Sequence, residues 1–106
     1  MPRYLWQVSY SPEGMKGVLK EGGTARREMV EKLVANLGGT VETFYFAFGE
    51  DDVYLVAEFP DNVTAAAVSM TVGASGAASA KTVVLLSPEE IDAASKKTVD
   101  YRAPGK

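Results

Sequence analysis

Tyr4, Trp6, Val8 and Tyr10 alternate with Leu5, Gln7 and Ser9, a period of two rich in aromatic residues that predicts a first strand. Ser11-Pro12-Glu13-Gly14 reads as a turn, and Gly14, Gly17, Gly22 and Gly23 space a segment that bends into a long helix. Met29, Val30, Leu33, Val34 and Leu37 recur at spacings of three and four, the apolar face of that helix, which begins near Thr24 and is stopped by Gly38-Gly39. Val41 to Phe48 and Val53 to Phe59 are aromatic and β-branched runs joined through Gly49-Glu50-Asp51-Asp52, a hairpin signal, and Pro60 closes the second run. Asp61 or Asn62 can cap a second, alanine-rich helix to about Gly73, with Ser75-Gly76 as the break after it. Lys81 to Leu86 predicts a fourth strand. Ser87-Pro88-Glu89-Glu90 is a capping box opening a short helix towards Lys96, and Lys97 to Lys106 is a tail.

Strand, helix, strand, strand, helix, strand, helix is the split βαβ plan of ferredoxin-like α+β folds, with an extra C-terminal helix. Residues 1–96 make one domain on this reading, and 97–106 the tail. Both long helices then cover one face of an antiparallel sheet and leave the other to solvent or to another chain. Trp6, Val8, Phe44, Phe46, Val53, Leu55, Ala57, Val83 and Leu85 suit the helix side. The opposite set is mixed: Leu5, Gln7, Ser9, Thr43, Tyr45, Tyr54, Val56, Glu58, Thr82, Val84 and Leu86. Such a face is too apolar for plain wet surface and too polar for a plain core. A second copy of the chain would cover it, giving a dimeric α/β barrel with a cavity between two sheets. Val99 and Tyr101 in the tail add apolar groups that favour a homodimer or higher homo-oligomer.

Composition narrows the chemistry. The 106 residues contain no histidine and no cysteine, which removes the usual ligands of zinc, haem and iron–sulfur clusters and the nucleophilic triads; no cofactor is expected. Acid–base work would fall to carboxylates, tyrosines or lysines. A net charge of −3 gives no basic field for nucleic acid or anionic lipid. Asn62 to Ala80 carries no charge, but its Ala, Ser, Thr and Gly are too weakly apolar for a bilayer. The strand-like start, without an apolar signal core, makes a bacterial-type cytoplasm the expected compartment.

Gly-Val-Leu-Lys-Glu-Gly-Gly-Thr-Ala-Arg-Arg at Gly17 to Arg27 resembles the small bacterial GYD-domain proteins. Phe44-Tyr45-Phe46-Ala47-Phe48-Gly49 with Asp52, then Pro60-Asp61-Asn62, Ser75-Gly76 and Leu85-Leu86-Ser87-Pro88-Glu89-Glu90, follow that family's pattern over nearly the whole chain. The resemblance implies the ferredoxin-like fold of the dimeric α/β-barrel type and no particular reaction. The chain departs from the Gly-Tyr-Asp signature at Gly49-Glu50-Asp51-Asp52, where Asp51 stands in place of the tyrosine, so no role of that tyrosine carries over.

Three constellations could carry function. Gly17-x-x-x-x-Gly22 approaches a phosphate loop but has Gly23 at the lysine position and no strand just before it. Beside it, Arg26 and Arg27 lie in a first helical turn, where cations are disfavoured. Glu31 can pair with Arg27; Arg26 either pairs with Glu21 or a partner's carboxylate, or serves an anion site. Glu50, Asp51 and Asp52 are oxygen donors, but neighbours in a hairpin turn rarely converge, and no metal is expected. Gln7, Ser9, Tyr45, Tyr54, Glu58 and Thr82 are the candidate ligand-binding residues of the barrel face, and Glu58, if enclosed by Tyr45 and Tyr54, would be desolvated and suited to general acid–base catalysis. The leading expectation is a homo-oligomer binding a small, partly aromatic or anionic metabolite. The alternatives are a cofactor-independent isomerase or monooxygenase using Glu58, with Gln7 positioning substrate, and an assembly protein without ligand.

Overall fold

In a computed structural model describing all 106 residues, eight elements follow in order: β1 (Arg3–Tyr10), α1 (Pro12–Glu21), α2 (Gly23–Asn36), β2 (Thr40–Phe46), β3 (Val53–Glu58), α3 (Asn62–Ala74), β4 (Ala78–Leu85) and α4 (Pro88–Ser95). The strands form one antiparallel sheet in the order β2-β3-β1-β4, the ferredoxin-like arrangement in which the first and third strands are central. Tyr4, Trp6, Val53, Leu55, Ala57 and Phe59 are buried with Val34 of α2 and Ala65 of α3. The rings of Tyr4, Trp6 and Phe59 meet with centroids 5.2–6.3 Å apart, tilted or edge to face, an arrangement that suits the aromatic quadrupole.

Helix α1 occupies the segment expected to be a turn and a glycine-spaced bend. Ser11 accepts a hydrogen bond from the Gly14 N–H, Pro12 fills the first turn and Glu13 faces the positive helix end, the same start signal that opens α4. Gly22, at φ 87°, breaks α1 from α2, a conformation other residues rarely adopt.

Strand β4 begins earlier than expected and faces the other way. Trp6 stands opposite Thr82, Tyr4 opposite Val84 and Val8 opposite Ala80, so Ala78, Ala80, Thr82 and Val84 share the helix side, while Lys81, Val83 and Leu85 join Arg3, Leu5 and Gln7 on the open face. On the helix side α3 lays Ala65 and Ser69 over this edge of the sheet, above Thr82 and Val84, and the Ser69 and Thr82 hydroxyls meet at 2.6 Å.

Beyond Leu86 the chain leaves the body. Residues Pro88 to Arg102 are exposed throughout, and the molecule measures 56 × 33 × 23 Å. Its radius of gyration is 16.9 Å, against about 13 Å for a compact chain of this length. No helix is long and apolar enough to cross a membrane.

Candidate functional site

The open sheet face divides into an apolar middle and two polar ends. Leu5, Val56 and Val83 form the middle, with Leu85 beside them. At one end Arg3 donates from Nε to Glu42 at 2.6 Å and from Nη2 to Glu58 at 3.1 Å. Its pKa is raised, first by the Glu42 hydrogen bond and then by the charge of the same carboxylate. At the other end Gln7 lies between Tyr54 and Lys81, and Tyr54 pairs with Tyr45.

This placement separates the expected catalytic group from its enclosure. Glu58 shares a face with Tyr54 but sits four residues along β3, a separation of roughly 13 Å at 3.3 Å per residue. The carboxylate is salt-bridged to Arg3 in place of being enclosed by Tyr45 and Tyr54. Thr82 lies on the opposite face, its hydroxyl 2.6 Å from Ser69 Oγ, which in turn accepts from Trp6 Nε1 at 3.0 Å. Gln7, Ser9, Tyr45 and Tyr54 are thus gathered at one end; Glu58 and Thr82 are not with them.

The turn that replaces the Gly-Tyr-Asp signature is a structural clamp on that polar end. Asp51 is buried; its Oδ1 accepts from Ser9 Oγ at 2.8 Å, and its Oδ2 lies 3.5 Å from Lys81 Nζ. Asp52 accepts from the Tyr10 N–H through Oδ2 at 2.8 Å, while its own N–H donates to Val8 O at 2.7 Å and its carbonyl accepts from Ala47 N–H. The acidic side chains therefore point to different partners. No group of three or more acidic side chains is placed to hold a metal ion.

A cavity of about 80 Å³ lies on the other side of the sheet, beneath α2 and α3. Trp6, Val8, Val30, Phe44, Val68 and Val72 contribute to its walls, and Arg26 and Ser69 are its only residues that are not hydrophobic. Arg26 reaches the cavity from the first turns of α2, a helix start with no side-chain cap and no acidic residue in its first turn. Its Nε is buried without a hydrogen-bond partner, and Nη1 lies 4.0 Å from Glu21, too far for a hydrogen bond. Arg27 pairs with Glu31 at 3.6 Å on the exposed side of the same helix. Periodicity alone gave no sign of the cavity, since its wall residues read as ordinary core positions. The one local signal was an arginine at a helix start, where cations are disfavoured.

No curated protein and no solved structure matches the chain. The sequence profile of the GYD domain matches residues 4–95, from the second residue of β1 to the last of α4. That match takes in the sheet apart from Arg3, the Asp51 clamp and the Arg26 cavity, and the chain belongs to the GYD domain family.

Proposed function

We propose that this chain is a homo-oligomeric small-molecule-binding protein in which the two faces of the sheet have separate tasks. The open face and the C-terminal segment meet a second copy; the cavity beneath α2 and α3 takes the ligand. The observation that carries the reading is surface left uncovered. The chain exposes 7443 Å², against about 5,700 Å² for a compact monomer of this mass. Such a surplus on each of two copies is in the range of obligate homodimer interfaces. Its chemistry agrees: Val83 is 41%, Ile91 51%, Val99 76% and Tyr101 73% exposed. The helix-side cavity favours binding over catalysis, since Arg26 and Ser69 are its only residues that are not hydrophobic.

Native mass spectrometry of freshly purified protein, beside a denatured control, tests both tasks. The expected result is a dimer or its multiple carrying a reproducible extra mass that is lost on denaturation. A bare monomer at micromolar concentration would overturn the assembly reading.

A further inference from the structure

We infer that the cavity beneath α2 and α3 binds a short aliphatic monocarboxylate, its carboxylate on Arg26 and its carbon chain among Trp6, Val8, Phe44 and Val68. This rests on the cavity being a ligand site and adds the ligand's chemistry. The guanidinium is the first ground. An arginine has five N–H donors in a fixed fork, and a buried donor left without a partner is expensive. Here Nε is buried and unpartnered, and the nearest carboxylate, Glu21, stands 4.0 Å from a different nitrogen. No side chain of the cavity wall reaches Nε: Ser69 Oγ is engaged with Trp6, Thr82 and the Ala65 carbonyl, and the Tyr10 hydroxyl makes no hydrogen bond to Arg26. A carboxylate that enters can accept from Nε and one Nη together, the bidentate geometry for which the fork is shaped. The positive end of the α2 dipole adds to the attraction for an anion.

The walls and the volume set the rest of the ligand. Arg26 is the only charged group in the walls, so a dicarboxylate would bury a second anion without a counter-ion. An inorganic anion would pair with Arg26 and leave the apolar space unfilled. A cavity of 150 Å³ holds benzene, and by that proportion the 80 Å³ here holds about three carbons. Butyrate has that length of chain behind its carboxylate.

Trp6 lines the cavity and is the only tryptophan, so its fluorescence reports on occupancy of the full-length protein. Titration with butyrate is expected to give a saturable change, and butyramide, equal in shape but uncharged, to bind at least tenfold more weakly. Succinate should bind no better than butyramide. Arg26→Gln, checked for its fold by circular dichroism, should bring butyrate down to the butyramide level. Equal affinity of the wild-type protein for butyrate and butyramide would overturn the carboxylate assignment while leaving a ligand cavity in place. That comparison needs no variant, so it stands even if Arg26→Gln does not fold. Absence of any response to butyrate, butyramide or succinate up to tens of millimolar would overturn the cavity as a ligand site altogether.

Discussion

Two glycines three positions apart in α1 show how differently one residue type can be fixed by its surroundings. A Cβ on Gly14 would lie 2.0 Å from the Ala77 carbonyl oxygen, in backbone that also accepts the Ser11 N–H at 2.9 Å; one on Gly17 would meet nothing within 4 Å. Gly14→Ala must therefore push α1 off the start of β4, an overpacking that is expected to destabilise by about 1–3 kcal/mol. Gly17→Ala at an exposed helical position should instead stabilise by roughly 0.5–1 kcal/mol, the difference in backbone freedom between the two residues. Urea unfolding of the two variants measures both, and changes of the same sign would contradict the packing described. None of this is legible locally. The sequence displays equivalent glycines, and what distinguishes them is a carbonyl brought in from the far side of the fold. The same holds for Asp51, which reads as a turn former and proves to be a buried clamp between Ser9 and Lys81.

At the scale of elements, the helix starts were written most plainly. Ser87 and Glu90 form the reciprocal capping box that their spacing predicts, and Asp61 caps α3 by accepting from the Thr64 N–H at 2.8 Å. Both carboxylates titrate below their ordinary values of 3.8 for Asp61 and 4.5 for Glu90. For Asp61 the leading cause is the Thr64 backbone hydrogen bond, and for Glu90 that of Ser87. A carboxyl group with a depressed folded-state pKa stabilises the fold above its unfolded pKa, and that stabilisation is lost as pH falls through the folded value. Helical circular dichroism should therefore hold from neutrality to the ordinary carboxylate range and decline below it. Asp61→Asn, which caps without titrating, should flatten the α3 part of that decline; an unchanged pH profile would sink the assignment. Elements went unread where tertiary contact outweighed local preference. Helix α1 carries the same Ser-Pro-Glu start as α4, but its glycines hid it. The facing of β4 was ambiguous because Val83, Val84, Leu85 and Leu86 are apolar in both phases of a period of two; its register against β1 turns Thr82 to Ser69 of α3.

For the whole molecule, the decisive feature is a sheet covered on one side only. The open face was legible as a mixed surface, and the structure keeps Leu5, Gln7, Tyr45, Tyr54 and Val56 upon it, but it exchanges Thr82 and Val84 for Lys81, Val83 and Leu85. That exchange matters for assembly, because it sets Val83 opposite Leu5, and so beside Val56, in the apolar middle of the uncovered face. Val56 of a central strand and Val83 of the neighbouring edge then become the test positions. A lysine at either would place a charge where two sheets meet, and a charge desolvated without a partner is unfavourable by several kcal/mol. Val56→Lys and Val83→Lys are expected to weaken self-association at least tenfold in sedimentation velocity while leaving the helix-side core folded. Val63→Lys supplies the comparison, since Val63 is 79% exposed at the start of α3, on the other side of the sheet, and should leave assembly unchanged. If Val63→Lys dissociates the oligomer and the two sheet variants do not, the partner lies against the helices, and the uncovered sheet face has to be explained by something other than a second copy.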